Sequence, residues 1–455
     1  MDIKNIKAVY FVGIGGIGMS ALARYFKVMG YEVAGYDRTS SPLTRKMTDE
    51  EGFEITYEDD EKGVREVFRD KEHTLVVYTP AVPQENRILS FFRDNGYALH
   101  KRAEVLGFLS HSKKALCIAG THGKTTTTTM LAFLLNRSHV GCSAFLGGIS
   151  SNFGTNLLID KDSDYVVIEA DEYDRSFLHL HPEIAVITAM DADHLDIYGT
   201  HEHLIEAFEE FAMQTRGELF LREGLELKKR TITGYYAAGE KADYYADRLR
   251  VDNGSYLFDY IGKDVEIRDL RMCFPGRVNV ENATAAITVA LYAGVTPEEI
   301  RVALPLFKGV SRRFDVHAKG DRLIYIDDYA HHPREIEASL SSIREMWPDK
   351  RLTVAFQPHL YSRTNDFYPE FAKSLNLADQ VILLDIYPAR EQPIPGVTSG
   401  LIAERLTVPF VRVTKEEFPE YVKENVKEGV FMTVGAGDID RFIPIFTEMF
   451  GGTDC

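Results

Sequence analysis

The chain has 455 residues, of which 45% are hydrophobic, 27% charged and 11% aromatic. Those proportions are ordinary for globular proteins and exclude collagen-like, disordered and small disulfide-scaffold classes. Acids outnumber bases 69 to 52, for a formal charge of −17, so general nucleic-acid or anionic-membrane binding, which wants a basic surface, is not expected.

At roughly 150 residues per domain the length suggests about three domains. Of the four cysteines, Cys117, Cys142, Cys273 and Cys455, no two form a CxxC pair, so neither a zinc site nor a redox motif is signalled. Cys117 and Cys142 lie in apolar stretches and read as buried thiols. The N-terminus lacks the pattern of a signal peptide. The longest apolar stretch, around 283–295, is too short and too rich in Ala and Thr to span a bilayer. A cytoplasmic protein is expected, which sparse cysteine fits.

In chain order, Ala8-Val9-Tyr10-Phe11-Val12 is strand-like, 17–29 has helical apolar spacing, and 33–36 and 74–78 read as further strands. This βαβ pattern implies a parallel sheet. A polar stretch, 110–114, precedes a fresh strand at 115–119, and a domain boundary is expected near residue 107. A strand–loop–helix unit follows at 115–136, then strands at 165–168 and 184–188 and a helix over 203–215. Residues 229–273 change to short alternating runs, with Asp252-Asn253-Gly254 and Gly262-Lys263-Asp264 as tight turns of an antiparallel insertion. Helices return at 279–293 and from Pro297, where Thr296 and Glu299 form a capping-box pattern. A second boundary is placed near 305–310, followed by strands at 323–326, 352–356, 381–384 and 430–434 with helical segments between them.

Five motifs carry chemistry. Gly13-Ile14-Gly15-Gly16-Ile17-Gly18 lies between a strand and a helix. Its glycines permit a tight turn and close approach of a pyrophosphate to the helix N-terminus. Asp37 stands 19 residues after Gly18, where a ribose-binding acid is expected. NAD is the generic default for this loop, and a purely structural glycine turn the bland alternative. Gly120-Thr121-His122-Gly123-Lys124-Thr125-Thr126 resembles a P-loop that has Ile118 where the full pattern has glycine. Its amides can cradle the β- and γ-phosphates of ATP, Lys124 can neutralise them, and the Thr125 hydroxyl can face Mg²⁺.

The strand that begins at Asp164 ends in Glu169-Ala170-Asp171-Glu172. Glu169 reads as a metal ligand or water-holder, and Asp171 and Glu172 as a solvated acidic loop that could assist. Asp191-Ala192-Asp193-His194-Leu195-Asp196 also follows a strand, although a lone His194 is more often structural than a ligand. Asp327-Asp328-Tyr329-Ala330-His331-His332-Pro333 puts acids and histidines at a strand-to-helix turn. The bland reading there makes Asp328 a helix cap.

In this order the motifs closely resemble those of the Mur ligases, over essentially the whole chain. Further matching stretches are Asn279-Val280-Glu281-Asn282-Ala283, Arg312-Arg313-Phe314, Phe356-Gln357-Pro358-His359 and Gly435-Ala436-Gly437-Asp438. The resemblance implies a three-domain α/β fold. Residues 1–107 form a Rossmann-like UDP-sugar domain, and 108–308 a P-loop ATPase-like domain with a small antiparallel insertion. Residues 309–455 form a Rossmann-like domain that closes over the site. The implied reaction joins L-alanine to the lactyl carboxylate of UDP-N-acetylmuramate through an acyl phosphate. Partners are then these small molecules, ATP and Mg²⁺, with no nucleic acid or membrane; a homodimer is left open.

By the same resemblance, Gly13, Gly15, Gly16, Ile17 and Gly18 hold the UDP diphosphate rather than NAD, with Asp37 and Thr79 on that side. Gly120, Thr121, His122, Gly123, Lys124, Thr125 and Thr126 hold ATP. Thr125, Glu169 and His194 hold Mg²⁺, as two ions, with His194 serving the second. Asn279 and Asn282 face the adenine, and Arg313 and Asp328 contact the nucleotide. His331, His359 and Arg363 line the muramate and amino-acid side, and Asp328 or His331 is the candidate base for the amine.

Four positions depart from the family pattern. Ala189 and Asp191 stand for Asn and Glu, Val278 for His, and Leu360 for Arg. The last removes a guanidinium clamp for which Arg363 could substitute. Alternatives kept open are a related ligase that reattaches a recycled peptide to the same sugar, a nicotinamide oxidoreductase, and a nucleotide-switched binding protein.

Overall fold

The computed structural model describes residues 5–192, 195–252, 254–389 and 391–451. They form two compact units, one of residues 1–147, 155–236 and 285–296, the other of 148–154, 237–284 and 297–455.

The first unit opens with strands β1 (Ala8–Val12), β2 (Glu32–Tyr36), β3 (Glu54–Thr56), β4 (Thr74–Tyr78) and β5 (Leu99–Lys101), in the spatial order β3-β2-β1-β4-β5. All neighbours are parallel. Every residue of β1 is buried, as expected for a central strand covered on both faces. The strand order reverses beside β1, so its C-terminal end opens onto the crevice where such sheets bind ligands. The glycine loop sits at that end.

A second sheet in this unit uses β6 (Lys114–Ala119), β7 (Ser143–Ser150), β8 (Thr155–Leu158), β9 (Tyr165–Ala170), β10 (Ile184–Ile187), β11 (Glu218–Arg222) and β12 (Gly234–Ala238). Their order is β12-β11-β10-β6-β9-β7-β8, and pairing is parallel from β12 through β7. The reversal falls beside β6, and the P-loop leaves its C-terminal end. One hydrophobic core serves both sheets, joining Leu22, Phe26, Leu106 and Leu109 to Cys117, Phe177 and Phe208. Helix Arg102–Ser112 runs through residue 107 and contributes to that core.

The second unit contains the antiparallel strands β13 (Tyr244–Asp252), β14 (Ser255–Ile261) and β15 (Glu266–Met272). Asp252 pairs with Ser255, and Gly262 N–H donates to Val265 O at 2.8 Å, so the chain reverses at both expected places. Its other sheet comprises β16 (Asp315–Lys319), β17 (Leu323–Asp328), β18 (Leu352–Phe356), β19 (Gln380–Leu383), β20 (Phe410–Arg412) and β21 (Gly429–Val434). The order is β16-β17-β21-β18-β19-β20, parallel except for the β16–β17 pair. The C-terminal ends of β17, β18 and β21 lie side by side and carry Asp328, Gln357 and Gly435. Among the described residues no helix is long and apolar enough to cross a membrane.

Candidate active site

The glycine loop is folded by backbone hydrogen bonds. Gly13 and Ile14 N–H both donate to Tyr36 O, at 2.8 and 3.0 Å. Gly13 adopts φ +92° against the Thr79 methyl, a conformation and a contact that exclude a side chain. Gly15 N–H donates to Asp37 Oδ2 at 2.7 Å, and Thr39 N–H to Asp37 Oδ1 at 3.2 Å. Asp37 therefore braces the loop from the end of β2. Gly16 is the N-cap of helix Ile17–Val28, whose first residue is 68% exposed. Arg102, which sequence reasoning passed over, lays its side chain on Gly18, where an added Cβ would stand 2.9 Å from its Cδ. No local pattern announces it, because it comes from a helix more than eighty residues on.

The P-loop is braced by the end of β10. Thr121 N–H donates to Ala189 O at 3.0 Å, and Asp191 N–H to Thr121 Oγ1 at 3.1 Å. The Thr188 hydroxyl bonds Ala119 O at 3.1 Å and also reaches His122 O. Ala189 acts here through its carbonyl, so its departure from asparagine leaves this support intact. Gly123 takes φ +81° at the start of helix Lys124–Asn136. His122 is exposed and lies 3.8 Å from Asp191.

Lys124 Nζ donates to Gly120 O at 2.7 Å and meets both carboxylate oxygens of Glu172, at 2.9 and 2.8 Å. Glu172 is wholly buried. Burial raises its carboxyl above the usual range, opposed by Lys124. The expectation of a solvated Glu172 is thus overturned, whereas Asp171 is exposed. The chain turns sharply after β9, with Asp174 and Arg175 at φ +51° and +56°. Segment 173–179 folds back there, a return that spacing alone does not announce.

Thr125 Oγ1 donates to Glu169 Oε1 at 2.9 Å, and Gly147 N–H to Glu169 Oε2 at 2.9 Å. The Glu169 carboxylate fills the space a Cβ on Gly147 would need. A hydroxyl beside a carboxylate is a hard-oxygen set suited to Mg²⁺. Among the described residues no three His, Cys, Asp or Glu side chains gather into a metal cage. Asp193 and His194 lie outside the described residues.

In the second unit, Asn279 and Asn282 are buried and interlocked. Asn279 Nδ2 bonds Pro275 O, and Asn282 Nδ2 donates to Asn279 Oδ1 at 3.0 Å. The two arginines before β16 part company. Arg312, at φ +64°, turns inward to Asp327 (3.2 Å), Asp440 (3.3 Å) and Gly435 O (2.6 Å). Arg313 is exposed, and no hydrogen bond or ion pair of its side chain occurs among the described residues. Its charge still draws down the pKa of Asp328.

Asp328 is 8% exposed and its carboxyl is pushed up to about 6, mainly by burial. It accepts from Ala330 N–H at 3.3 Å and from the Ser339 hydroxyl. It does not cap the next helix. His332 is the N-cap there, and Glu335 accepts from the His331 and His332 amides at 2.9 and 3.1 Å.

His331 and His359 approach to 6.1 Å between ring centroids, and His359 stacks on Tyr387 at 5.8 Å. Burial, then Arg363 and His331, depress the His359 pKa. His359 Nδ1 and one Arg363 terminal nitrogen are buried with no hydrogen-bond partner among the described residues. Leu360 occupies φ +69°, with its N–H donating to Tyr387 O at 2.9 Å. The Gly435–Asp438 stretch is tied to the end of β18. Gly437 leaves room for Gln357, whose amide bonds Asp438 and Ile439 N–H, each at 2.9 Å.

A phosphate-type loop and a P-loop at two sheet reversals, with a hydroxyl–carboxylate pair beside the second, define a nucleotide-using enzyme. Comparison with known proteins sharpens this. Three family profiles match in series: Mur ligase family, catalytic domain, at 8–114; Mur ligase middle domain, at 118–290; and Mur ligase, glutamate ligase domain, at 312–437. The UDP-N-acetylmuramate–L-alanine ligase of Phocaeicola vulgatus is 51% identical over 451 residues, covering 98% of each chain. The UDP-N-acetylmuramate-alanine ligase of Thermotoga maritima superposes with a TM-score of 0.76 at 28% identity, covering 97% of this chain and 99% of that one. A murein peptide ligase of Psychrobacter arcticus shares the fold alone, at 21% identity and TM-score 0.59, covering 99% of this chain and 100% of that one. The chain belongs to the Mur ligase family.

Proposed function

We propose that this chain joins L-alanine to the lactyl carboxylate of UDP-N-acetylmuramate, with ATP converted to ADP and phosphate, in the making of a peptidoglycan precursor. The observation that carries the reading is the full-length likeness to the Phocaeicola enzyme. The murein peptide ligase of Psychrobacter arcticus, at 21% identity, resembles this chain only in fold.

A carboxylate does not react with an amine at neutral pH, because oxide is too poor a leaving group. In the first step a lactyl carboxylate oxygen attacks the γ-phosphorus and ADP leaves, forming an acyl phosphate. In the second the alanine nitrogen attacks the acyl carbon, phosphate leaves and the amine loses a proton. Phosphoryl transfer between anions is chiefly a matter of position and charge. The amides of Gly120–Lys124 and the Lys124 ammonium supply both. Thr125 and Glu169 would hold Mg²⁺, which when bound neutralises the phosphates; a second ion would involve His194. Gly13, Gly15, Gly16, Ile17 and Gly18, with Asp37 and Thr79, receive the UDP-sugar. Asn279, Asn282, Arg313 and Asp328 serve the nucleotide.

On the amine side, His331 Nδ1 lies 3.0 Å from Tyr329 O. This favours His331 over Asp328 as base, since Asp328 already accepts from Ser339 and Ala330. Arg363, with a buried terminal nitrogen unpaired among the described residues, takes the carboxylate-clamping part that Leu360 cannot play. We place the functional domains at 1–107, 108–308 and 309–455.

Phosphate release from Mg-ATP, measured with UDP-N-acetylmuramate in the presence and absence of L-alanine, tests the reading. Release that needs both, with a product of the mass of UDP-N-acetylmuramoyl-alanine, is expected. Release with neither, or only when a peptide replaces alanine, overturns it.

A further inference from the structure

The P-loop lysine is one half of a buried pair. An ammonium has three donors; here one goes to Gly120 O and the Glu172 carboxylate engages the side at under 3 Å. Glu172 itself is held. The buried Tyr198 hydroxyl donates to Glu172 O at 2.6 Å, and Arg175 lies over the Tyr198 ring at 5.3 Å. The carboxylate is therefore buried, on a backbone held in place. Parting a buried carboxylate from a cation that meets both its oxygens is costly.

We propose that Glu172 is a positioning residue for phosphoryl transfer: it keeps its hold on Lys124 through turnover, so that the phosphates meet an oriented, partly neutralised lysine rather than a free cation. The proposal rests on the ligase reading. It has a consequence that separates ground state from transition state. A lysine already sharing its charge attracts a resting diphosphate less than a free one does. The same lysine, held to one direction, stabilises the moving phosphoryl group more than a swinging one does, since a long flexible side chain is otherwise poorly fixed. Removing the carboxylate should tighten nucleotide binding and slow catalysis together.

The test uses Glu172→Gln in the full chain. ADP affinity is measured by calorimetry, and kcat and KM for ATP by phosphate release. ADP should bind at least about 5-fold tighter, kcat should fall about 10- to 100-fold, and KM for ATP should not rise. Lower kcat with unchanged ADP affinity would mean a merely structural residue and would overturn the proposal, as would kcat within twofold of the parent. A second arm is read by thermal melting and needs no turnover. Lys124→Ala should lower the melting temperature by taking the Lys124 cation from a buried carboxylate, and adding Glu172→Gln should restore it. A double variant no more stable than Lys124→Ala overturns the pairing. Because ADP binding and melting do not depend on which acid and amine are joined, they stand apart from the test of the ligase reading, which fails only if the parent enzyme makes no product.

Discussion

His331 Nδ1 and the Tyr329 carbonyl oxygen lie 3.0 Å apart, two residues apart in sequence. A carbonyl only accepts, so the neutral imidazole carries its proton on Nδ1 and its lone pair on Nε2. That is the tautomer a base needs. His331→Ala should lower kcat for alanine about 100- to 10,000-fold, the range for a lost general base. Hydroxylamine, an amine largely unprotonated near neutral pH, should still trap the acyl phosphate in that variant at close to the parent rate. If hydroxamate formation falls as far as alanine ligation does, His331 acts before the amine step and is not its base.

Asp328 makes stability depend on pH with a definite sign. Its carboxyl rises from 3.8 to about 6 on folding, mainly through burial. The folded chain thus holds this proton more tightly than the unfolded chain. The stability it gives is fully present below about pH 4 and is lost as pH rises through about 6. Asp328→Asn, which cannot ionise, should therefore be more stable than the parent near pH 7.5, by up to about 3 kcal/mol. The gain should vanish near pH 4. Denaturant melts at both pH values decide it, and a variant less stable than the parent at the higher pH contradicts the assignment. The same variant should lose ligase activity, since Asp328 contacts the nucleotide in the reading proposed.

The central strands were legible because burial on both faces writes an unbroken apolar run, as in Ala8–Val12. The two nucleotide loops were legible because glycines are forced at positive φ or close approach, as at Gly13 and Gly123. Edge strands such as Glu54–Thr56, Leu99–Lys101 and Phe410–Arg412 were not, being three residues long and only partly buried. Within the site, residue type was readable but direction was not. Glu169 and Glu172 stand three apart, yet one meets Thr125 and Gly147 while the other meets Lys124. The positive φ values at Asp174 and Arg175, which accompany that return, fall on residues that do not advertise them.

Gly147 and Glu169 offer a test of the oxygen set that leaves both ligand side chains in place. A methyl on Gly147 would collide with the Glu169 carboxylate. Gly147→Ala should therefore raise the Mg²⁺ concentration needed for half-maximal activity at saturating ATP, by about 10-fold or more, the scale of disturbing a ligand's support. Glu169→Gln, which weakens the ligand itself, should shift the same curve further. An unchanged Mg²⁺ requirement in both variants would remove Glu169 from the metal.

Arg312 and Arg313 are adjacent, and the structure gives them opposite work. Arg312 neutralises Asp327, which has no exposed surface, at 3.2 Å. Burial raises the Asp327 pKa and Arg312 is the largest influence opposing it. Arg312→Ala should strand that carboxylate and destabilise the chain by about 3–5 kcal/mol. Arg313 points to solvent, so Arg313→Ala should change stability by no more than about 0.5 kcal/mol. If Arg313 meets the nucleotide as proposed, its loss should instead raise KM for ATP about 10-fold, the scale of one charge-assisted hydrogen bond. Chemical denaturation and ATP kinetics on the two variants separate the roles. Equal destabilisation by both, or an Arg313→Ala enzyme with parental KM, would show that neighbouring guanidinium groups do not divide structure from substrate here.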